Sequence, residues 1–169
     1  MSFVIDGRHL NGKIAGVQRL IHEVLLELDK RAKPGEYEIL VPPNTIDLPA
    51  YNNISIKKYG CFNGLLWEQI CLPWYLFTRK KYGVFLCTVV PYCYPRGLVN
   101  INDIMVKTVP EVRDSIKNPI TRFLLISNYR FAINRATVLT TISQYSKNDI
   151  VRAYGKKPED IHVIPLGWY

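Results

Sequence analysis

Apolar and polar positions along the chain change period repeatedly, and each change marks an element. Phe3-Val4-Ile5-Asp6 is a short apolar run that reads as a buried strand, and a glycine-flanked loop follows it. Val17, Leu20, Ile21, Val24, Leu25 and Leu28 then recur at helical spacing. Past the Lys33-Pro34-Gly35 break, "YEILVP" and "ISIKKY" read as strands, the second alternating as a strand does with one wet face. "NGLLWEQICLPWYLFTRK" is helical on both sides of Pro73, which should kink it or end its first half.

"YGVFLCT" and "GLVNINDI" read as strands joined by the loop "VPYCYPR". Pro119 to Asn134 reads as a helix whose broad buried face holds Ile120, Phe123, Leu124, Ser127, Phe131 and Ile133. The β-branched run "ATVLTTIS" is a further strand. A helix follows it, with Ser143 as N-cap and Gly155 just past its end, and "IHVIP" is the last strand. Strands alternating with helices predict an α/β, three-layer Rossmann-like domain with a mostly parallel sheet. Ligands of such sheets sit beyond the carboxyl ends of the strands.

A length of 169 residues suits one domain, and 48% hydrophobic with 21% charged residues is the composition of a folded globular chain. Cys61, Cys71, Cys87 and Cys93 form no CxxC pair and the histidines are scattered, so a zinc site is not expected, and no other metal-ligand cluster is visible. The N-terminus meets an acidic residue too early for a secretion signal, which predicts a cytoplasmic chain without disulfides. No uninterrupted apolar stretch reaches spanning length, since Glu68, Gln69 and Pro73 interrupt the longest.

The formal net charge is +8. Lys57-Lys58, Arg79-Lys80-Lys81 and Lys156-Lys157 are short clusters, readable as ordinary solvated surface. In "WYLFTRKK", however, Trp74 and its apolar neighbours adjoin Arg79, Lys80 and Lys81, a composition suited to an anionic lipid surface. No nucleic-acid-binding signature accompanies the charge, and no nucleic acid partner is expected.

Three places at the predicted ligand edge carry chemistry. The Asn11 to Gly16 loop has two glycines and no acid, so its amides and the following helix start favour an anionic group, although a plain glycine turn reads equally well. Its Gly12 and Gly16 spacing meets neither the dinucleotide fingerprint nor the NTPase phosphate loop. Asn102-Asp103 ends an apolar strand; Asp103 suits either a substrate hydroxyl or a loop cap. Ser143, Ser146 and Lys147 open a helix after a strand. No nucleophile elbow or paired carboxylate motif is visible, and no cofactor is implied.

Taken in order, "IDGRHLNGKIAGVQRLIHEVLLEL", "GLLWEQICLP", "NINDI", "ITRFLLISNYRFAINRA", "VLTTISQYSKNDIVRAYG" and "IHVIPLG" resemble the N-terminal half of retaining GT-B glycosyltransferases of the large group-1 type. The resemblance spans essentially the whole chain. It implies an acceptor-binding domain that meets a nucleotide-sugar only with a second, donor-binding domain, which these 169 residues do not contain. Its acceptor would be a glycan or polyprenyl-linked glycan of bacterial surface polysaccharide synthesis, at the inner face of the plasma membrane.

The site residues it implies are Gly12, Lys13, Gly16, Val17, Arg19, Ser143 and Lys147 for substrate, with Asn102 and Asp103 at the reacting centre. Trp74, Arg79, Lys80 and Lys81 would face the membrane. Relatives carry His where this chain has Asn102, which hydrogen-bonds but does not titrate. A non-catalytic binding or scaffold module is therefore the alternative. A domain separated from its partner should also leave apolar surface uncovered and self-associate.

Overall fold

The computed structural model describes residues 2–10, 16–87, 89–94 and 96–165. The chain divides into two compact units, Met1–Cys87 and Thr88–Tyr169. Every described strand pairing is parallel, and the fold is α/β and Rossmann-like, as the alternating pattern predicts.

The first unit holds β1 (Phe3–Asp6), β2 (Tyr37–Val41), β3 (Ser55–Lys58) and β4 (Tyr82–Phe85) in the spatial order β3-β2-β1-β4. The chain moves outward from β1 to β2 and β3, then returns to the other side of β1. Ile5 faces Ile39 on one side and Val84 on the other. Helix α1 (Val17–Arg31) lays Ile21 and Leu25 on that row, enclosing a core of Ile5, Ile39, Val41, Ile54 and Ala32. Burial thus follows one i, i+4 stripe, and Val17 and Val24 of the expected face stay exposed. Asp29 extends the stripe and closes it: its carboxylate accepts the backbone N–H groups of Asn52, Asn53 and Ile54 at 2.8, 2.7 and 3.0 Å.

The other face of this sheet is covered by a continuous helical segment: α2 (Gly64–Leu66), a π turn (Trp67–Cys71) and α3 (Leu72–Arg79). Leu76 of α3 lies over Gly83 and Phe85, whose side of β4 is opposite to that of Val84. Pro73 neither ends nor breaks the segment. It lacks an N–H and crowds the carbonyl four residues back, and the wide turn immediately before it, where Leu72 N–H reaches Trp67 O, gives that carbonyl room. The same turn lets neighbouring residues Trp67 and Glu68 both point inward, and Trp67 Nε1 donates to Tyr59 O at 2.7 Å.

The second unit carries β5 (Gly97–Asn100), β6 (Val138–Thr141) and β7 (Ile161–Val163), in that order. β5 is shorter than the predicted strand: pairing stops at Asn100, and Ile101 and Ile104 are buried without it. Two short helices absent from the sequence reading, α4 (Met105–Thr108) and α5 (Pro110–Ser115), precede α6 (Pro119–Arg135). Asn118 caps α6 through the N–H groups of Ile120 and Thr121.

The expected buried face of α6 is corrected in its first half. Ile120, Phe123 and Leu124 are exposed, whereas Asn128, Tyr129, Ala132 and Ile133 are buried. Asn128 is buried because its side chain accepts Val90 N–H at 3.0 Å and donates to Val90 O at 2.8 Å, completing that residue's backbone bonding. The closing helix α7 (Gln144–Tyr154) has the cap predicted for it, Ser146 N–H donating to Ser143 Oγ, and Gly155 ends it at φ +66°.

Candidate functional site

The return of the chain to β1 makes the β1/β4 boundary the switch point of the first unit, the place where parallel sheets leave a crevice for ligands. β1 ends in Asp6, which is buried. Its Oδ1 accepts the Arg8 N–H at 3.0 Å, turning the chain sharply out of the strand. Gly7 occupies the corner because a Cβ there would lie 2.6 Å from Ile39 and Val41 side-chain carbons. The turn brings the Arg8 guanidinium onto the carboxylate of Glu68, delivered by the π turn and 0% exposed. Cys87 follows β4 within reach of the same charges.

Two buried carboxylates thus meet one residue, Glu68 at the Arg8 guanidinium and Asp6 at the Arg8 backbone N–H, with the Arg8 charge acting on both. Burial pushes the Glu68 carboxyl up to about 8, the Asp6 charge adds to the rise, and Arg8 opposes it. Asp6 is raised as well, by burial, against its bonds to Arg8. Both shifts favour the protonated form of the pair. Cys87 is pushed up to about 12 by burial and the neighbouring Asp6, so it is a neutral thiol and an unsuitable nucleophile. His9 is lowered to about 4, chiefly by burial, against the opposing pull of the Asp6 backbone carbonyl. A neutral imidazole and a protonated carboxyl are the groups that recognise hydroxyls and transfer protons.

The second unit's strand ends are neutral. Asn100 Nδ2 donates to Asn102 Oδ1 at 2.7 Å, Thr140 Oγ1 donates to Asn100 Oδ1 at 3.0 Å, and Thr141 Oγ1 donates to Asn102 O at 3.4 Å. Asn102 is therefore buried in a network, while the adjacent Asp103 accepts Met105 N–H at 3.0 Å at the start of α4. Ser143 is occupied as the α7 cap, and Lys147 Nζ donates to Ile161 O at 2.9 Å.

Of the other residues singled out in the sequence, Gly12 and Lys13 lie outside the described residues. Gly16 stands before α1 at φ +53°, with Val17 and Arg19 exposed on the first turn. Trp74 is 62% exposed. Arg79 lies 5.9 Å from the Tyr75 ring centroid, Lys80 ends α3 in the left-handed region, and Lys81 bonds Ser2. Among the described residues there is no cluster of three or more His, Cys, Asp or Glu suited to a metal ion, and no helix is long and apolar enough to cross a membrane.

The Asp6-Arg8-Glu68 group escaped the sequence reading because Glu68 lies far along the chain from Asp6 and Arg8. One signal was present: Glu68 interrupts the most apolar helix in the sequence, a position where a charge is costly unless paired. No family model matches the chain, and no curated protein matches it.

Proposed function

We propose that this chain is the acceptor-binding half of a glycosyltransferase, which transfers a sugar from a nucleotide-sugar to a glycan acceptor when a donor-binding domain is supplied in cis or in trans. The order of motifs along the chain suggests the family. The observation that carries the reading further is the buried Asp6-Arg8-Glu68 group at the β1/β4 switch point. A protonated carboxyl beside a guanidinium and a neutral imidazole suits a hydroxyl-bearing ligand better than a charged one.

Lipid-linked acceptors fit the exposed helical face of the first unit. Leu66, Ile70, Trp74 and Phe77 lie along one stripe of exposed side chains, and Arg79 and Lys80 follow at its end. Such a face binds an anionic bilayer peripherally. The engagement of Asn102 in the Asn100 and Thr140 network supports the second reading, a non-catalytic binding module, because a side chain tied into the sheet edge is not free to turn to a reacting sugar.

Calorimetric titration with UDP- and GDP-sugars, then with a polyprenyl-phosphate acceptor mimic, separates these readings. Acceptor binding without donor binding is expected. Failure to bind either ligand, with the fold intact, would overturn the acceptor-half reading.

A further inference from the structure

The second unit has a pocket of about 230 Å³ lined by Lys107 of α4, Arg130 and Asn134 of α6, and Ala153 and Tyr154 of α7. No acidic side chain lines it. Lys107 is exposed, and its Nζ lies 4.1 Å from the Tyr154 ring centroid and donates to Ala153 O at 3.4 Å. That contact also covers a carbonyl at the end of α7, where the helix dipole would otherwise repel an anion.

Arg130 lines the same pocket, its charge acts on the Tyr154 phenol, and it makes no ion pair or hydrogen bond among the described residues. The Tyr154 hydroxyl oxygen is buried, with no partner among the described residues. Burial holds this phenol up at about 12 despite Arg130, so it stays a neutral donor. A guanidinium, an ammonium, a phenol and an amide therefore line one pocket, with three kinds of N–H and one O–H among them.

We propose that this pocket binds a phosphate dianion, with Arg130 as the charged fork, Lys107 as a counter-charge and the Tyr154 hydroxyl as the directional donor. A carboxylate would be satisfied by the guanidinium alone. A tetrahedral dianion uses both cations and still has an oxygen for Tyr154. The proposal uses none of the strand-end residues described above and stands whether or not the chain is half of a glycosyltransferase.

The test is titration of the whole chain with inorganic phosphate, followed by the amide and Arg side-chain NMR signals of α6 and α7. A parallel arm uses flotation with phosphatidylcholine vesicles with and without phosphatidic acid. Arg130→Ala is expected to weaken binding about tenfold or more, and Tyr154→Phe, which keeps every charge, about threefold to fivefold. Both side chains are peripheral to the core, and unchanged melting would verify the fold. Binding of free phosphate identifies a soluble phosphate ligand; binding only to phosphatidic acid vesicles, with the same dependence on both residues, identifies a lipid headgroup. Binding in neither arm, or binding that Tyr154→Phe leaves unchanged, overturns the proposal, the latter because it would reduce the pocket to unspecific attraction.

Discussion

The two units solve the same structural problems with different chemistry. Each must secure a loop, and the first does so with a carboxylate, Asp29, that receives three N–H groups, while the second uses an amide, Asn128, that gives one bond and takes one. Each must also finish its strands at the ligand edge. The first ends in Asp6, Arg8 and Glu68, with Glu68 on the guanidinium and Asp6 on the Arg8 N–H; the second ends in Asn100, Asn102 and Thr140, all neutral, with Asn100 bonded to both of the others. An amide network is complete at any pH. A buried carboxylate pair changes its protonation with its surroundings, so the first unit is where pH and ligands should register.

The largest effect should come from removing the shared cation. Arg8→Ala leaves Asp6 and Glu68 facing one another without a counter-charge, and should cost about 4 kcal/mol at pH 8. At pH 5, where both carboxyls can take protons, the loss should be about half as large. Urea denaturation at the two pH values measures both. Equal losses would mean that Arg8 contributes packing and not charge.

The two loop clamps come next. Asp29→Ala strands three backbone N–H groups and should lower the melting temperature by about 6 °C, whereas Asn128→Ala strands one N–H and one C=O and should lower it by about 4 °C. The sign of the pH dependence separates them further. Burial raises the Asp29 pKa, but its three donors outweigh that and hold it below its ordinary value of 3.8. Its contribution is therefore present above 3.8 and lost as pH falls through the folded value, while that of Asn128 has no such dependence. Melting curves from pH 7 down to pH 3 would show the wild-type and Asp29→Ala proteins converging.

The same contrast explains what could be read from the sequence. Strand and helix periods are local, and the positions of β1 to β4, β6, β7, α1, α6 and α7 follow from them. Caps are local too, which is why Ser143 and Gly155 were legible. The buried face of α6 was not, because burial depends on what packs against a helix: Asn128 goes inside to bond Val90, 38 residues away, and Phe123 stays out at 70% exposure. The Asp6-Arg8-Glu68 group was invisible for the same reason. It requires a corner at Gly7 and a π turn at Trp67, neither of which has a simple periodic signature.

Glu68→Gln tests the protonation of the pair. Its folded pKa of about 8 stands above its ordinary 4.5, so its contribution to stability is complete below 4.5 and is lost as pH rises towards 8. His9 acts oppositely: lowered from 6.5 to about 4, it contributes above 6.5 and loses that contribution as pH falls towards 4. Asp6, raised by burial, adds to the Glu68 trend. The trends oppose one another up to pH 6.5, and from there to pH 8 the carboxylates act alone. Over that interval the wild-type protein should lose about 2 kcal/mol of stability, and Glu68→Gln should remove most of the slope. A variant with the wild-type slope would place the titrating group elsewhere.

The smallest effect should belong to the neutral edge. Asn102→Ala removes one acceptor from Asn100 and should cost about 1 kcal/mol, equally at pH 5 and pH 8. Asn102→Asp is the sharper variant, because it keeps an oxygen for Asn100 while placing an acid beside a neutral amide. Burial should raise that new carboxyl, so the variant should match the wild-type protein at pH 4 and fall below it as pH rises. A pH-independent cost would show that Asn102 is wetter than its burial implies, and with that the division between a titrating edge and an inert one would fail.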